Sequence, residues 1–547
     1  MRGARIAAGE ESLFGHVLKC MFKETCSLKH ARKGRSTGAP RRAWVGWCAL
    51  ILACEAAAHG HGGIEATELA AAPVVGSGNG RQGTGGAEDG GERGAARGGE
   101  ERSDRRAACL RRNAGAPARY ARIVAAFCAE YHNLAGVGAS LAIVEGDGPP
   151  FVATAGVACL GGQEVTAATR FRVGSITKLL TAALVLRQAD AGRLDLDDEV
   201  VRVLPELAAG VDERAGTITW RQLLTHTAGL PDPSPLELGS EWLTALGERP
   251  LWREPGALWS YSSDGYAVVG AALEQLRGEG YTRLLADELL APLGLDAAIV
   301  EPEMALRTGA ACGHLGRGEQ ARAFSVVDDL ALGTGDARWT APAGGAIVSA
   351  AELVTLARDL VDPGRSPLSP AARRELLAAD VPTLERPGER YGLGVRARVG
   401  AGGSPIYGHS GATGDFAADL VFAPDRRFAA AALSNDGDPL RMTLATVLQE
   451  LLEVAPERAA AMGPAHLYTG TYRADRFDEE VTISAHGSGL RLSAPGLLLT
   501  DVPLGHAGDG RFVAGRPELG GFTFLFVGAD ARASDLRGHV FVGARVE

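Results

Sequence analysis

The 547-residue chain predicts a mixed α/β (α+β) protein: a body in which antiparallel strands and helices share one core, followed by a small all-β domain. Three observations carry this. Strand-like runs come in pairs joined by tight turns, helix-like runs with broad apolar faces lie between them, and residues 464–547 hold only short alternating segments parted by glycines. The length also exceeds what one hydrophobic core organises, so more than one domain is expected.

In chain order, residues 1–42 carry ten Lys/Arg against three Asp/Glu, whereas the whole chain has a net charge of −10. The start is a basic leader; the acidic remainder tells against a nucleic-acid partner. Ala43 to Cys54 is an uncharged run followed by Ala56-Ala57-Ala58, too short to span a bilayer and suited to the apolar region of an export signal. Residues 1–58 are therefore read as a leader that sends the protein out of the cytoplasm, to the periplasm, the medium or a lipid anchor. Ile51-Leu52-Ala53-Cys54 resembles the lipobox of bacterial lipoproteins, which implies membrane attachment through a lipidated Cys54; Ala56-Ala57-Ala58 suits ordinary cleavage, and both stay open.

Residues 59–117 are dominated by Gly, Ala, Arg and Glu, with little that can seed a core, and read as a disordered linker. Gly78-Asn79-Gly80-Arg81-Gln82-Gly83 matches a dinucleotide fingerprint in letters only, because no strand precedes it and no helix follows.

Order is expected from about residue 118 to 456. Ile123, Val124, Phe127 and Tyr131 recur at helical spacing; Ser140–Glu145 and Phe151–Val157 are two strands about the turn Gly146-Asp147-Gly148-Pro149. A helix from Ser175 to about Ala191 follows, with Leu179, Leu180, Ala183, Leu184 and Leu186 on a broad buried face. Thr219 reads as the N-cap of a short helix from Trp220 to Leu224, and a further helix runs from Gly265 to about Leu276. Later strands are Gly392–Arg398, Phe416–Phe422 and Phe428–Ser434, the last two a hairpin about Pro424-Asp425-Arg426. The cysteines outside the leader, Cys109, Cys128, Cys159 and Cys312, lack metal or redox spacing and read by default as buried thiols, with one disulfide admitted by export. His409 has no partner histidine nearby, so no metal and no cofactor is called for.

Chemistry concentrates in Gly174-Ser175-Ile176-Thr177-Lys178. Residues i and i+3 share one helix face, so Ser175 and Lys178 can meet, and the helix N-terminus favours negative charge on the serine oxygen. Lys178 is the only lysine after Lys33 in a chain that otherwise uses arginine. Arginine keeps its proton, whereas lysine can act as a base, so the exception points to chemistry. Tyr261, in Trp259-Ser260-Tyr261-Ser262-Ser263, offers a phenol able to shuttle a proton beside such a pair. His409-Ser410-Gly411-Ala412 reads as a strand edge whose glycine admits close approach by a substrate and whose backbone N–H groups can bind an oxyanion. His226, in Leu223-Leu224-Thr225-His226-Thr227-Ala228-Gly229, reads as a structural hydrogen-bonder.

This series of motifs, with Pro255-Gly256, Pro292-Leu293-Gly294 and Pro342-Ala343-Gly344-Gly345, resembles the serine beta-lactamase and penicillin-binding-protein superfamily, in its class C-like branch of esterases and D-aminopeptidases. The resemblance covers about residues 120–456. It implies an antiparallel sheet flanked by helices, an all-helical subdomain beside it, and a site in the cleft between. It also implies that Ser175 is the acylated nucleophile, Lys178 its proton partner and Tyr261 the relaying base, and that His409 stands where many relatives carry Lys-Thr-Gly. The N–H groups of Ser175 and Ala412 would form the oxyanion hole, and Ser263, Ser410 and Gly411 would line the substrate groove. One departure stands out: Ser263 replaces the asparagine of the usual Tyr-x-Asn, which tells against true penicillin hydrolysis more than against ester or peptide cleavage.

Residues 464–547, with strands at Tyr468–Arg473, Val481–Ile483, Leu490–Leu492, Phe522–Val527 and Val540–Val542, resemble the lipocalin-like β-barrel appended to some relatives. Phe522, Phe524 and Phe526 would share a face. Such a domain would cap the cleft, mediate oligomerisation or serve as a stabilising appendage. The expected protein is a serine hydrolase acting on a small-molecule or peptide substrate, an ester, a D-amino-acid amide or a beta-lactam, and it admits an oligomer. The competing reading is a binding or sensor protein on the same scaffold. An alpha/beta-hydrolase is disfavoured because no Gly-x-Ser-x-Gly elbow occurs.

Overall fold

A sheet with both faces covered needs strands that are apolar throughout, and the middle of this fold shows how the sequence supplies them. The computed structural model describes residues 105–230, 242–300, 309–324, 341–454 and 464–545, with short breaks inside these ranges. The leader with Cys54, linker residues 59–104 and Phe522 lie outside the described residues.

The central sheet has eight antiparallel strands: β1 (Gly138–Glu145), β2 (Phe151–Gly156), β3 (Val381–Pro382), β4 (Arg390–Tyr391), β5 (Arg396–Val399), β6 (Pro405–Ala412), β7 (Ala417–Ala423) and β8 (Phe428–Ser434). Their spatial order is β2-β1-β8-β7-β6-β5-β4-β3. The N-terminal hairpin thus completes a sheet otherwise built from the C-terminal third of the domain, with Ala139 opposite Ser434 and Glu145 opposite Phe428.

The main helices are α1 (Ala121–Asn133), α2 (Thr177–Asp190), α3 (Trp220–Leu224), α4 (Ser263–Arg277), α5 (Ala350–Val361) and α6 (Arg441–Leu452), of which α1, α5 and α6 pack on the sheet and α2, α3 and α4 pack among helices. Alternation along β1 and β8 sends Leu141, Ile143, Ala430 and Ala432 into one core with Ile123, Phe127, Leu444 and Val447 of α1 and α6. It sends Ala142, Val144, Ala429, Ala431 and Leu433 into the other, with α2, α4 and α5. Every residue of β8 is buried. Its four consecutive alanines are weak strand formers, so the two helical layers that cover them, more than propensity, hold the strand.

Helix α6 has no capping side chain of its own. Glu130 of α1 supplies one across the layer: its carboxylate accepts the N–H of Met442 at 2.8 Å, the N–H of Thr443 at 2.7 Å and the Thr443 hydroxyl at 2.7 Å. A negative group there also complements the helix dipole.

Three expectations are revised. Order begins before residue 118: residues 105–112 are helical and Cys109 is buried. The four body cysteines are not free thiols, because Cys109 pairs with Cys128 and Cys159 with Cys312. The strand expected over 392–398 is broken into β4 and β5 by a turn in which the Gly392 N–H donates to the Val395 carbonyl.

Beyond these lies a closed antiparallel barrel of β9 (Gly470–Ala474), β10 (Glu480–His486), β11 (Gly489–Ala494), β12 (Leu499–Gly508), β13 (Arg511–Ala514), β14 (Thr523–Val527), β15 (Asp530–Ser534) and β16 (Val540–Arg545). It closes where Tyr472 of β9 faces Arg545 of β16. Tyr472, Val481, Ile483, Leu490, Leu492, Val502, Leu504 and Phe512 are buried. Strands β12, β13 and β15 were not expected from sequence. Pro503 and Gly505 interrupt β12, and Asp530-Ala531-Arg532-Ala533-Ser534 lacks the branched and aromatic residues that mark strands; closure of the barrel pairs them.

Glu130→Ala leaves α6 uncapped and is expected to destabilise the domain by about 1.5–3 kcal/mol, measured as a lower urea midpoint at unchanged slope.

Candidate active site

Two glycines bring Ser175 to the sheet. The chain enters through Arg170–Arg172, paired with Ile347–Ser349, and turns at Gly174, whose φ of +48° lies in the left-handed region. A Cβ on Gly174 would sit 2.8 Å from the Ala412 N, and one on Gly411 would sit 1.9 Å from the Val173 O and 3.1 Å from the Ser175 N. Backbone therefore lies on backbone, and the amides of Ser175 and Ala412, the expected oxyanion donors, fall in one place.

Ser175 is the middle residue of a single 3-10 turn, Gly174–Ile176, which continues into α2. The Thr177 hydroxyl donates to the Gly174 carbonyl at 2.7 Å and accepts the Ala346 N–H at 3.0 Å, fixing the turn from below. One helical turn on, Lys178 is fully buried, with its Nζ 3.1 Å from Ser175 Oγ, 3.3 Å from Ser263 Oγ and 3.0 Å from the Ala343 carbonyl. Ala343 belongs to the Pro-Ala-Gly-Gly segment, whose part in holding the lysine has no signal in residue type because a backbone carbonyl makes the contact.

Tyr261 lies beside this pair: Lys178 Nζ is 4.9 Å from its ring centroid and 5.4 Å from that of Tyr266. Ser262 caps α4 by accepting the Gly265 N–H at 3.1 Å, which leaves Ser263 as the first helical residue facing the lysine. The serine in place of asparagine thus keeps the contact to the amine.

His226 holds the Tyr261 turn from behind. Its carbonyl accepts the Ser260 N–H at 2.7 Å, its Nδ1 accepts the Ser262 N–H at 3.1 Å, and its ring lies 4.2 Å from that of Tyr261. His226 itself has a φ of +59°, a conformation that costs a non-glycine residue on the order of 1–3 kcal/mol and persists where surroundings over-determine it.

His409 is buried on β6, with its ring 6.2 Å from that of Tyr261. Both ring nitrogens are engaged: Nε2 lies 2.8 Å from the Tyr391 hydroxyl and Nδ1 lies 2.6 Å from the Ser410 carbonyl. The Tyr391 hydroxyl is also 3.1 Å from His226 Nε2, so one buried phenol joins the two histidines. Tyr391 was not singled out by sequence; it stands 18 residues before His409 on the strand two places away in the sheet, and only the strand order brings them together. Ser410 is exposed on the same strand. Alternation turns its side chain away from that of His409, and it hydrogen-bonds Asp419, its cross-strand partner on β7.

Burial, reinforced by the charges of Lys178 and Arg396, holds both His226 and His409 well below the ordinary histidine pKa of 6.5, so both rings are neutral. Burial pushes the Tyr391 and Tyr266 phenols well above the ordinary range. Arg396, stacked 5.7 Å over the Tyr391 ring, is paired with Glu385 at 2.5 Å and Glu389 at 2.6 Å. Among the described residues no cluster of His, Cys, Asp and Glu is arranged to hold a metal ion.

What the arrangement can do is transfer an acyl group: a hydroxyl beside an amine and a phenol, at the crossing that brings the Ser175 and Ala412 backbone together. Comparison with known proteins agrees. A family profile described as Beta-lactamase matches residues 123–453. Penicillin-binding protein 4 of Amycolatopsis lactamdurans is 34% identical over 316 residues, 55% of this chain and 81% of its own. Among solved structures, SurE is 28% identical with a TM-score of 0.59, covering 78% of this chain and 99% of its own; it has also been solved with D-Leu (26% identity, TM-score 0.56, 78% of this chain and 100% of its own). The octameric penicillin-binding protein homologue of Pyrococcus abyssi, at 20% identity and a TM-score of 0.54 over 77% of this chain and 99% of its own, shares the fold. The chain belongs to the beta-lactamase family, whose members are serine hydrolases of the penicillin-binding-protein type.

Proposed function

We propose that the protein is an exported hydrolase that cleaves ester or amide bonds, in small peptides bearing D-amino acids, through an acyl-enzyme on Ser175. The observation that carries this is the 3.1 Å approach of a buried Lys178 amine to the Ser175 hydroxyl beside the Tyr261 ring.

In acylation the Ser175 oxygen attacks the substrate carbonyl carbon while its proton passes to the lysine and tyrosine pair. With its proton on, Lys178 donates to Ser175, Ser263 and Ala343; with it off, the Ser175 contact reverses and the hydroxyl donates to the amine. The carbonyl oxygen becomes an oxyanion and accepts the Ser175 and Ala412 N–H groups, each worth about 3 kcal/mol in such sites. The bond to the leaving amine or alkoxide then breaks, and the leaving atom takes a proton from Tyr261. In the second half a water attacks the acyl-serine, Tyr261 receives its proton, and the acid departs as Ser175 regains its hydrogen. His409 takes no proton in this scheme, because both its nitrogens are already occupied.

A D-amino-acid substrate is supported by SurE having been solved with D-Leu and by the penicillin-binding relative. Ester or peptide cleavage is favoured over penicillin hydrolysis because Ser263 reaches the lysine but lacks the carboxamide that would also hold a substrate amide. The reading as a binding or sensor protein drew on the absent asparagine, and the retained Lys178–Ser263 contact weighs against it. Export is supported by two disulfides in the body, since such bonds persist in oxidising compartments.

A fluorophosphonate is expected to add one adduct, located on Ser175 by mass spectrometry and absent from Ser175→Ala. Lys178→Arg keeps the charge and removes the base, and should lower kcat on p-nitrophenyl esters and D-amino-acid amides by about 10²–10⁴-fold; wild-type turnover in that variant would refute the assignment. Ser263→Asn restores the missing amide contact and should raise the rate of penicillin acylation about tenfold relative to ester turnover. Because His226 and His409 stay neutral in the fold below pH 6.5, the unfolded chain binds more protons there. Stability is therefore full above that pH and should fall on acidification by about 1.4 kcal/mol per pH unit for each histidine. Urea unfolding at pH 7.5 and 5.5 measures it, and His226→Asn should flatten the slope.

A further inference from the structure

Backbone groups on either side of Tyr391 set the protons on its two histidine neighbours. His226 takes the Ser262 amide hydrogen on Nδ1, so in a neutral ring Nε2 carries the hydrogen, and it faces the Tyr391 oxygen at 3.1 Å. His409 is the reverse case. The Ser410 carbonyl can only accept, so His409 Nδ1 carries the hydrogen and Nε2 is the bare nitrogen, 2.8 Å from the Tyr391 hydroxyl. The one hydrogen of Tyr391 satisfies it. The neighbouring Tyr266 phenol donates its own hydrogen to the Leu224 carbonyl at 2.7 Å, and its oxygen is a further hydrogen-bond partner of the Tyr391 hydroxyl. The bonds therefore run one way, from the Ser262 amide through His226, Tyr391 and His409 to the Ser410 carbonyl.

We propose that Tyr391, acting with His226, is a positioning residue for acyl transfer: its hydroxyl bridges two histidines whose tautomers the neighbouring backbone sets, and so locks the Tyr261 turn to the strand that carries the Ala412 amide. This rests on reading Ser175 as the nucleophile and Tyr261 as its relay. His226 brackets Tyr261 by binding the amides on either side of it, those of Ser260 and Ser262. His409 stands three residues before Ala412 on β6. Between these two anchors lies one oxygen atom. Removing it leaves a donor on His226 facing an acceptor on His409 across a gap that neither ring spans, and the proton relay and the oxyanion amide lose their common register. Small displacements of such groups have large kinetic effects.

The test compares the full-length wild type with Tyr391→Phe and His226→Asn, using long-range proton–nitrogen NMR of histidine-labelled protein, p-nitrophenyl ester kinetics, fluorophosphonate labelling and thermal melting. Asparagine tolerates the left-handed backbone and still accepts the Ser262 N–H, but does not reach Tyr391. In the wild type, the ring lost in His226→Asn is expected in the Nε2–H form and the ring lost in His409→Gln in the Nδ1–H form. In Tyr391→Phe, His409 should keep the Nδ1–H form while its Nε2 resonance shifts on losing its donor, and kcat should fall about tenfold to a hundredfold with KM moving less than about threefold, while the folded protein still labels at Ser175. His226→Asn should lose kcat to the same degree. A wild-type His409 in the Nε2–H form, or a folded Tyr391→Phe with undiminished kcat, overturns the proposal. Failure of wild-type Ser175 to label sinks the nucleophile reading and the positioning role with it, whereas labelling with the wrong tautomer sinks the positioning role alone.

Discussion

The structure depends on the contact between Gly174 and Gly411. A serine at the start of a helix and a strand amide from a distant part of the chain must come within a few ångströms of one atom, and any side chain at either glycine would strike backbone that cannot yield. The remaining architecture serves this crossing. The sheet fixes β6 in register with β7 over Tyr407 to Ala412. β5 pairs only with the residues Pro405 to Gly408. Among the described residues, the strand has no pairing partner on that side from His409 to Ala412.

Once the crossing is made, the lysine is the expensive element. A buried amine loses its hydration and needs replacement partners, and here the Ser175 and Ser263 hydroxyls and the Ala343 carbonyl supply them from three separate elements. Arginine would answer the charge but not the size or the chemistry, because its planar fork needs more room and keeps its proton. This explains why a chain that otherwise prefers arginine holds a lysine here.

The meeting of Ser175, Lys178 and Tyr261 was legible in the sequence because each is a residue type whose side chain is chemically informative. The helices were legible for a related reason: apolar periodicity at Ile123, Phe127 and Tyr131, and the Thr219 capping box, are local signals. What stayed hidden acts through backbone or through strand order. The Ala343 carbonyl has no residue-type signature, Glu130 caps a helix more than three hundred positions away, and Tyr391 meets His409 only because β4 and β6 flank β5. The cysteine pairs belong to the same class, since proximity in space decides pairing. The contact of Ser410 with Asp419 was hidden too, because a motif read as a string does not show the alternation of a strand, which turns neighbouring side chains to opposite faces.

The electrostatics of the site follow from that concealed layer. Two cations, Lys178 and Arg396, lie near two histidines, and a positive charge on either ring would repel both. Arg396 is answered by Glu385 and Glu389, and the histidines stay neutral because burial and these cations oppose their protonation. The amine that faces the nucleophile is then the group beside Ser175 whose proton can move without a second charge appearing in the same volume. Neutral histidines are thus more than fillers: they give the Tyr261 turn and the β6 strand hydrogen-bonding rigidity without adding charge. A carboxylate in their place would pair with the lysine and fix its proton, and a second lysine would repel it. An imidazole tuned to remain neutral is the side chain that both holds the site together and leaves its charge balance to the reaction.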